Sequence, residues 1–260
     1  MVIPHNQIVF TMNAIFTHRS IRKFKQQPVS EEVLTSILEA GTRASNTGNM
    51  QVYSIVVTKD EKLRHLLWEA HFKQNMVLQA PVILTFCADI NRFEKWCQMR
   101  NARPGYDNFL WFVNASIDAV LASQNCSLIA EEHGLGICYL GTAVYMAEKI
   151  IDILKLPKGV VPVTAIALGY PDENPPLTDR LPLSAIVHYE TYGNYSDRQI
   201  DQLYYEKENL EQNKALVKLN QTENLAQIFT LKRYKQQDNR LFSKLYLNVL
   251  HKQGFMNNDE

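Results

Sequence analysis

Two guanidinium groups, a hydroxyl, an imidazole and an ammonium group fall within seven residues, His18-Arg19-Ser20-Ile21-Arg22-Lys23-Phe24, just before a segment that starts like a helix. Guanidinium groups hold phosphate through paired donors in a fixed fork, a geometry lysine cannot match. In an extended backbone Ser20 and Arg22 lie on one side, so both can reach one ligand. A basic heptamer alone is usually a solvated surface run, so the remainder of the chain must supply a phosphate-bearing partner for it. Total charge narrows the choice. The 27 Lys and Arg residues balance 27 Asp and Glu residues, leaving no global field to draw in nucleic acid or an anionic membrane. The basic character is local, which favours a small anionic ligand over a polyanion.

Other chemistries lack their signatures. There is no GxGxxG after a strand, no GxxxxGK[ST], no GxSxG and no HExxH, which sets aside the Rossmann, P-loop and common hydrolase and metalloprotease readings. The four cysteines, Cys87, Cys97, Cys126 and Cys138, are scattered without a CxxC pair. No metal site is expected, and the pattern suits buried thiols in a reducing compartment. Met1–Phe16 lacks the charged-then-apolar order of a signal peptide. The apolar run around Phe109–Ala130 is broken by Asn114, Ser116, Asp118, Gln124 and Asn125, so no membrane span is expected. The expectation is a soluble cytoplasmic protein.

The elements that must position these groups follow from periodicity. Ser30 can cap a helix whose first turn carries Glu31 and Glu32, with Val33, Leu34, Ile37 and Leu38 on its buried face. Arg43–Met50 reads as a loop, Val52–Thr58 as a strand, Asp60–Ala70 as a helix and Pro81–Ala88 as a second strand. Phe109–His133 predicts a long helix, apolar on more than one side and therefore buried in a core or against another subunit. Gly134 and Gly136 end it. Ile137–Leu140 then reads as a strand, Met146–Leu154 as a helix, Val160–Leu168 as a strand and Pro171–Pro182 as a loop. From Tyr195 to Phe255 the chain is helical and polar, an appended arm whose apolar residues are too sparse for a core of its own. Strands alternating with helices give an α/β or α+β sheet between helical layers.

Three segments, taken in order, carry a family resemblance: His18–Phe24, Gly134-Leu135-Gly136-Ile137-Cys138-Tyr139-Leu140-Gly141, and Leu177-Thr178-Asp179-Arg180-Leu181-Pro182. They resemble the FMN-binding segments of the nitroreductase superfamily, nearest to the oxygen-insensitive NADPH nitroreductases and NADPH–flavin oxidoreductases. The similarity runs from about Thr17 to Tyr192 and resumes at Leu250–Phe255. It implies an α+β, three-layer α/β/α fold: a mostly antiparallel central sheet, a long buried helix and a helical C-terminal arm. It divides the chain into an FMN-binding core at residues 1–192 and an extension at 193–260.

The resemblance also assigns residues. His18, Arg19, Ser20 and Arg22 would cradle the FMN phosphate and ribityl chain, and Arg180 would close the cradle. Asn46, within Ser45-Asn46-Thr47-Gly48-Asn49, would meet the flavin ring, as would Gln74 and the strand end Tyr139-Leu140-Gly141-Thr142. Thr178 stands where the family often has lysine, which removes one positive charge. No protein acid or base is required, because flavin N5 carries the hydride in a ping-pong cycle. Electrons would come from NADPH or NADH and pass pairwise to nitroaromatics, quinones or free flavins. The region Glu206–Gln227 has no arginine for a 2′-phosphate, implying relaxed or NADH-tilted preference. A homodimer with FMN between subunits is expected. The alternatives are a flavin-binding protein with little nicotinamide-driven turnover, or a dehalogenating relative on the same fold.

Overall fold

Alternation along the central strand dictates the layering. In β2 (Val82–Asp89), Val82, Leu84 and Phe86 face one side while Ile83, Thr85 and Cys87 face the other, and all six are buried, as a strand covered on both faces requires. β2 pairs antiparallel with β1 (Tyr53–Thr58) and with β4 (Val160–Gly169), and β4 pairs antiparallel with β3 (Gly136–Tyr139). The sheet order is β1-β2-β4-β3. The computed structural model describes residues 14–257. Most of the N-terminal stretch read for a targeting signal lies outside the described residues.

On one face, α1 (Glu31–Thr42) and the long α5 (Phe109–Glu132) pack Leu34, Ile37, Ala119, Ala122 and Cys126 against Leu84, Phe86, Ile166 and Leu168. On the other, α2 (Glu61–Ala70), α3 (Met76–Gln79), α6 (Thr142–Tyr145) and α7 (Ala147–Leu154) bring Leu67, Val77, Ala143 and Ile150 onto Ile83, Ala165 and Ala167. Each fully buried aliphatic or aromatic side chain contributes about 1.5–3 kcal/mol. The helices start where short polar side chains can cap them. Ser30 Oγ accepts from Val33 N–H at 3.3 Å, Asp60 Oδ1 from Leu63 N–H at 2.8 Å, and Asn108 Oδ1 from Trp111 N–H at 3.3 Å.

The long helix is two-sided within the chain. Its small residues, Ala115, Ala119, Ala122 and Ala130 among them, are buried, so the helix lies close to the sheet. Leu110, Ile117, Val120 and Leu121 stand 42–64% exposed on its remaining surface. Among the described residues, the covered side of this helix carries mostly small residues, and large apolar side chains remain exposed on another side.

Contacts divide the chain into two units. One comprises the chain up to Pro176 together with the segment from Lys244, and the other is Leu177–Ser243. The second unit contains α8 (Asp197–Asn209), α9 (Glu211–Asn220) and a π-helical turn at Ile228–Arg233; α10 (Gln236–Gln253) begins in it and ends in the first unit. Few of its side chains are buried, chiefly Asn213, Leu225 and Ile228.

Candidate functional site

The basic heptamer is a strap over one end of the sheet. Ile21 N–H donates to Ile137 C=O, Lys25 N–H to Tyr170 C=O and Asp172 N–H to Lys23 C=O, each at 2.9 Å. Gly136 and Gly169 pair across β3 and β4, and the strap lies directly on them. A Cβ at Gly136 would come within 2.5 Å of Ile21 Cγ1, and one at Gly169 within 3.1 Å of Phe24 Cδ1. Ile21 and Phe24 are thus buried anchors, and the polar residues between and before them are carried at the surface.

Their partners are specific. Glu173 Oε1 accepts from the backbone N–H groups of Arg22 at 2.5 Å and Lys23 at 3.1 Å. His18 Nδ1 lies 2.5 Å from Glu131 Oε1. Burial pushes the Glu131 carboxyl up, and the His18 contact partly offsets this. Arg19 Nη1 donates to Asn174 Oδ1 at 2.5 Å, while its Nε is buried without a hydrogen-bond partner among the described residues. Arg19, Ile21, Glu131, Gly136, Glu173 and Asn174 line a cavity of about 330 Å³. The Arg22 guanidinium is exposed and close enough to Cys138 to offset part of the rise that burial imposes on that thiol.

The second group lies at the other end of β3. Tyr139 turns its hydroxyl to Ser123 Oγ at 3.0 Å and Ser127 Oγ at 3.2 Å on α5, and Leu140 is buried in the opposite layer. Their side chains are committed to packing, so only their backbone is available to a ligand. Gly141 is exposed, and a Cβ there would meet nothing within 4 Å. Beyond it, Thr142 Oγ1 lies 2.7 Å from His71 Nδ1 and 3.4 Å from Gln74 Nε2. Gln74 Nε2 also donates to the His71 carbonyl at 3.0 Å. Sequence reasoning singled out Gln74 and Thr142 and missed His71, which is fully buried and held neutral by desolvation, its pKa pushed down to about 4.

Two predicted residues belong to other neighbourhoods. Asn46 donates to Ala44 C=O and accepts from Gln51 N–H, both at 3.3 Å. Its loop is tied to α5 through Asp118, whose Oδ1 accepts from Thr47 N–H at 2.9 Å and Thr47 Oγ1 at 3.0 Å. Asp118 was not singled out as a site residue, although it is the one carboxylate in the apolar stretch of α5 before Glu131. Arg180 lies in the second unit, where its Nη1 donates to Thr178 Oγ1 at 2.6 Å. The threonine at the position expected for lysine therefore holds the arginine. Beside it, Asp179 is paired with Lys207 at 2.5 Å, which pulls the Asp179 carboxyl down. Among the described residues, no group of three or more His, Cys, Asp or Glu could hold a metal ion, and no helix is long and apolar enough to cross a membrane.

Comparison with known proteins matches this arrangement to a family. Residues 15–170 fit the profile of the Nitroreductase family. The chain belongs to the nitroreductase family. Among curated nitroreductase relatives, the FMN reductase (NADPH) of Bacillus subtilis is 31% identical over 211 residues, spanning 76% of this chain and 85% of that protein. A solved Bacteroides fragilis structure is 48% identical with a TM-score of 0.93, covering 95% of this chain and all 100% of that one. The NADPH:FMN oxidoreductase of Vibrio harveyi, solved in complex with NAD+, is 28% identical with a TM-score of 0.79, covering 96% and 100%. The antiparallel sheet between helical layers is the nitroreductase fold expected from the sequence.

The residues fit a flavin nucleotide. The strap that carries Arg19, Ser20 and Arg22 sits at one end of β3, and among the described residues the buried Arg19 Nε has no hydrogen-bond partner. Gln74, Thr142 and the open face of Gly141 stand at the other. β3 spans roughly 10 Å at about 3.3 Å per residue, and Gly141 lies two residues beyond its end, so an elongated ligand with an anionic end and a polar ring edge can lie between the two groups.

Proposed function

We propose that this member of the nitroreductase family is an FMN-dependent NAD(P)H oxidoreductase that reduces nitroaromatics, quinones or free flavins two electrons at a time. The observation that carries the reading is the polarity along β3, with the arginine-bearing strap seated at its Gly136 end and an uncharged amide, hydroxyl and bare glycine beyond its other end. FMN held there would supply the redox chemistry, hydride transfer between a nicotinamide and an acceptor. His18, Arg19, Ser20 and Arg22 would hold the phosphate end by charge-assisted hydrogen bonds. Gln74, Thr142 and the backbone from Tyr139 to Gly141 orient the ring, and Asn46 serves a ring edge. The protein positions and excludes water; no side chain need move a proton, which suits a site whose buried imidazole stays neutral.

We further propose a homodimer. The exposed apolar side of α5 supports it, because a partner would bury Leu110, Ile117, Val120 and Leu121. Four free, buried cysteines support a reducing, cytoplasmic setting.

The test is one spectrum and one assay. Purified protein should be yellow and bleach anaerobically with NADPH or NADH, and Arg22→Ala should lose the flavin while staying folded. A colourless wild-type protein that takes up no FMN, or full flavin occupancy in Arg22→Ala, overturns the assignment. A yellow protein that neither nicotinamide bleaches overturns the enzymatic reading.

A further inference from the structure

We propose that His71 is a positioning residue that carries its proton on Nδ1 and thereby fixes Thr142 as a hydrogen-bond donor and Gln74 as an acceptor toward the flavin edge. The inference rests on the functional reading above for its ligand, but its first half concerns the protein alone.

His71 follows the last turn of α2 and is fully buried. A neutral imidazole has one N–H, and its position decides what the neighbours can do. Nδ1 is 2.7 Å from Thr142 Oγ1, whereas Nε2 is buried without a hydrogen-bond partner among the described residues. With the proton on Nε2, a buried N–H would be orphaned, which proteins avoid more strictly than an under-used acceptor. Thr142 would also have to spend its only proton on Nδ1. With the proton on Nδ1, the imidazole donates to Thr142 Oγ1 and the orphan is a lone pair. The doubly protonated ring would combine an orphaned donor with a buried charge. The geometry therefore selects the Nδ1–H form.

That choice propagates to Gln74. Its amide nitrogen is engaged by the His71 carbonyl at 3.0 Å and more weakly by Thr142 Oγ1 at 3.4 Å. Thr142 Oγ1 thus receives two donors on its lone pairs, and its own proton is free. Among the described residues, no donor meets the Gln74 carbonyl oxygen. Both side chains are partly exposed, so a donor and an acceptor are presented together, the complement of an imide edge in which an N–H adjoins a carbonyl. The turn that closes this cluster is strained. Phe72 and Lys73 have φ of 55° and 56°, the left-handed region that side-chain-bearing residues avoid. Backbone strain of this kind persists where surrounding structure over-determines it, and it gathers at ligand sites.

Two measurements test the proposal. In 15N-labelled, flavin-free wild-type protein, long-range 1H–15N correlations of the His71 ring should show Nδ1 protonated and Nε2 bare. A proton on Nε2, or on both nitrogens at neutral pH, overturns it. The second is FMN titration of flavin-free variants followed by flavin fluorescence. His71→Leu should weaken FMN binding about tenfold, the scale of one hydrogen bond. His71→Asn, whose amide N–H can stand in for Nδ1–H, should recover most of the loss, while His71→Gln should not. FMN binding by His71→Leu equal to wild type, or equal rescue by Asn and Gln, overturns it. If His71→Leu does not fold, the wild-type tautomer and the Asn-against-Gln comparison still decide. Failure of the functional reading looks different, since the wild-type protein itself would then not bind FMN.

Discussion

Two glycines at either end of the segment joining the strap to the ring site, Gly136 and Gly141, should respond oppositely to one added methyl group. At Gly136 the new Cβ lies 2.5 Å from Ile21 Cγ1 and 2.8 Å from Ile21 Cβ. The second contact is to an atom fixed to the backbone, so a rotamer change cannot relieve it and the strap must move. Overpacking of this kind costs about 1–3 kcal/mol, and the lower unfolded-state entropy of alanine returns about 0.4–1 kcal/mol. A net loss of about 1–2 kcal/mol lowers the melting temperature by about 2–8 °C for a chain of this size. Moving the strap also displaces Arg19 and Arg22, so FMN affinity falls too. At Gly141 nothing lies within 4 Å of the new Cβ, and the backbone sits at φ −61°, ψ −14°. Gly141→Ala should therefore melt at or slightly above wild type when flavin-free, by up to about 1 kcal/mol, and yet bind FMN more weakly, as the proposed ring contact at that face requires. The assay pairs thermal and urea denaturation of flavin-free protein with fluorescence titration of FMN. A flavin-free Gly136→Ala protein as stable as wild type would refute the strap contact, and a destabilised Gly141→Ala would refute the open face.

Three further outcomes follow from the same geometry. Burial holds the His71 imidazole at about 4 against its ordinary 6.5, so on acidification the unfolded chain takes the proton first. Its contribution is complete above about pH 6.5 and is lost as pH falls toward 4, with a ceiling of about 3 kcal/mol; urea midpoints at pH 7.5 and 4.5 should fall further for wild type than for His71→Leu, and equal falls would sink the idea. Leu121→Asp on the exposed side of α5 should convert a dimer to a folded monomer by light scattering after gel filtration, with an unchanged far-ultraviolet spectrum. A variant that stays dimeric would place the interface elsewhere. Lys207 is paired with Asp179 and Lys214 with Glu211, leaving fewer cations for a 2′-phosphate, so kcat/KM for NADPH should exceed that for NADH by less than about a hundredfold, a gap of nearly 3 kcal/mol. A larger ratio refutes relaxed specificity.

Much of the frame was legible because local chemistry and packing agree. Ser30 and Asp60 cap the helices that their spacing announces, and β2 reads as a doubly covered strand from its largely apolar run. α3 and α4 (Asn91–Met99) were not anticipated. They have no side-chain cap, and α4 buries only Cys97, so no apolar stripe marks it. The strap was recognisable from its composition, but not its seating, because contact between Ile21 and Gly136 depends on tertiary geometry. Glu173 and His71 were missed for a related reason: a lone glutamate in a loop and a lone histidine after a helix have no spacing to betray their partners. Tyr139 shows the converse. It lies on the expected strand, but strand alternation sends its hydroxyl to the α5 serines instead of toward Gly141.

The strap also sets an order of events during synthesis. Arg22 and Lys23 find Glu173 about 150 residues further along the chain, and Lys25 finds Tyr170 on the exit from β4. Contacts so distant in sequence close late, after the strands that template them have paired. A ribosome that has made the first 130 residues has already made both arginines of the strap, but not β3, the end of β4 or Glu173, which hold its backbone in place. Cofactor capture is then a closing event of folding, and a truncated or stalled chain should emerge colourless.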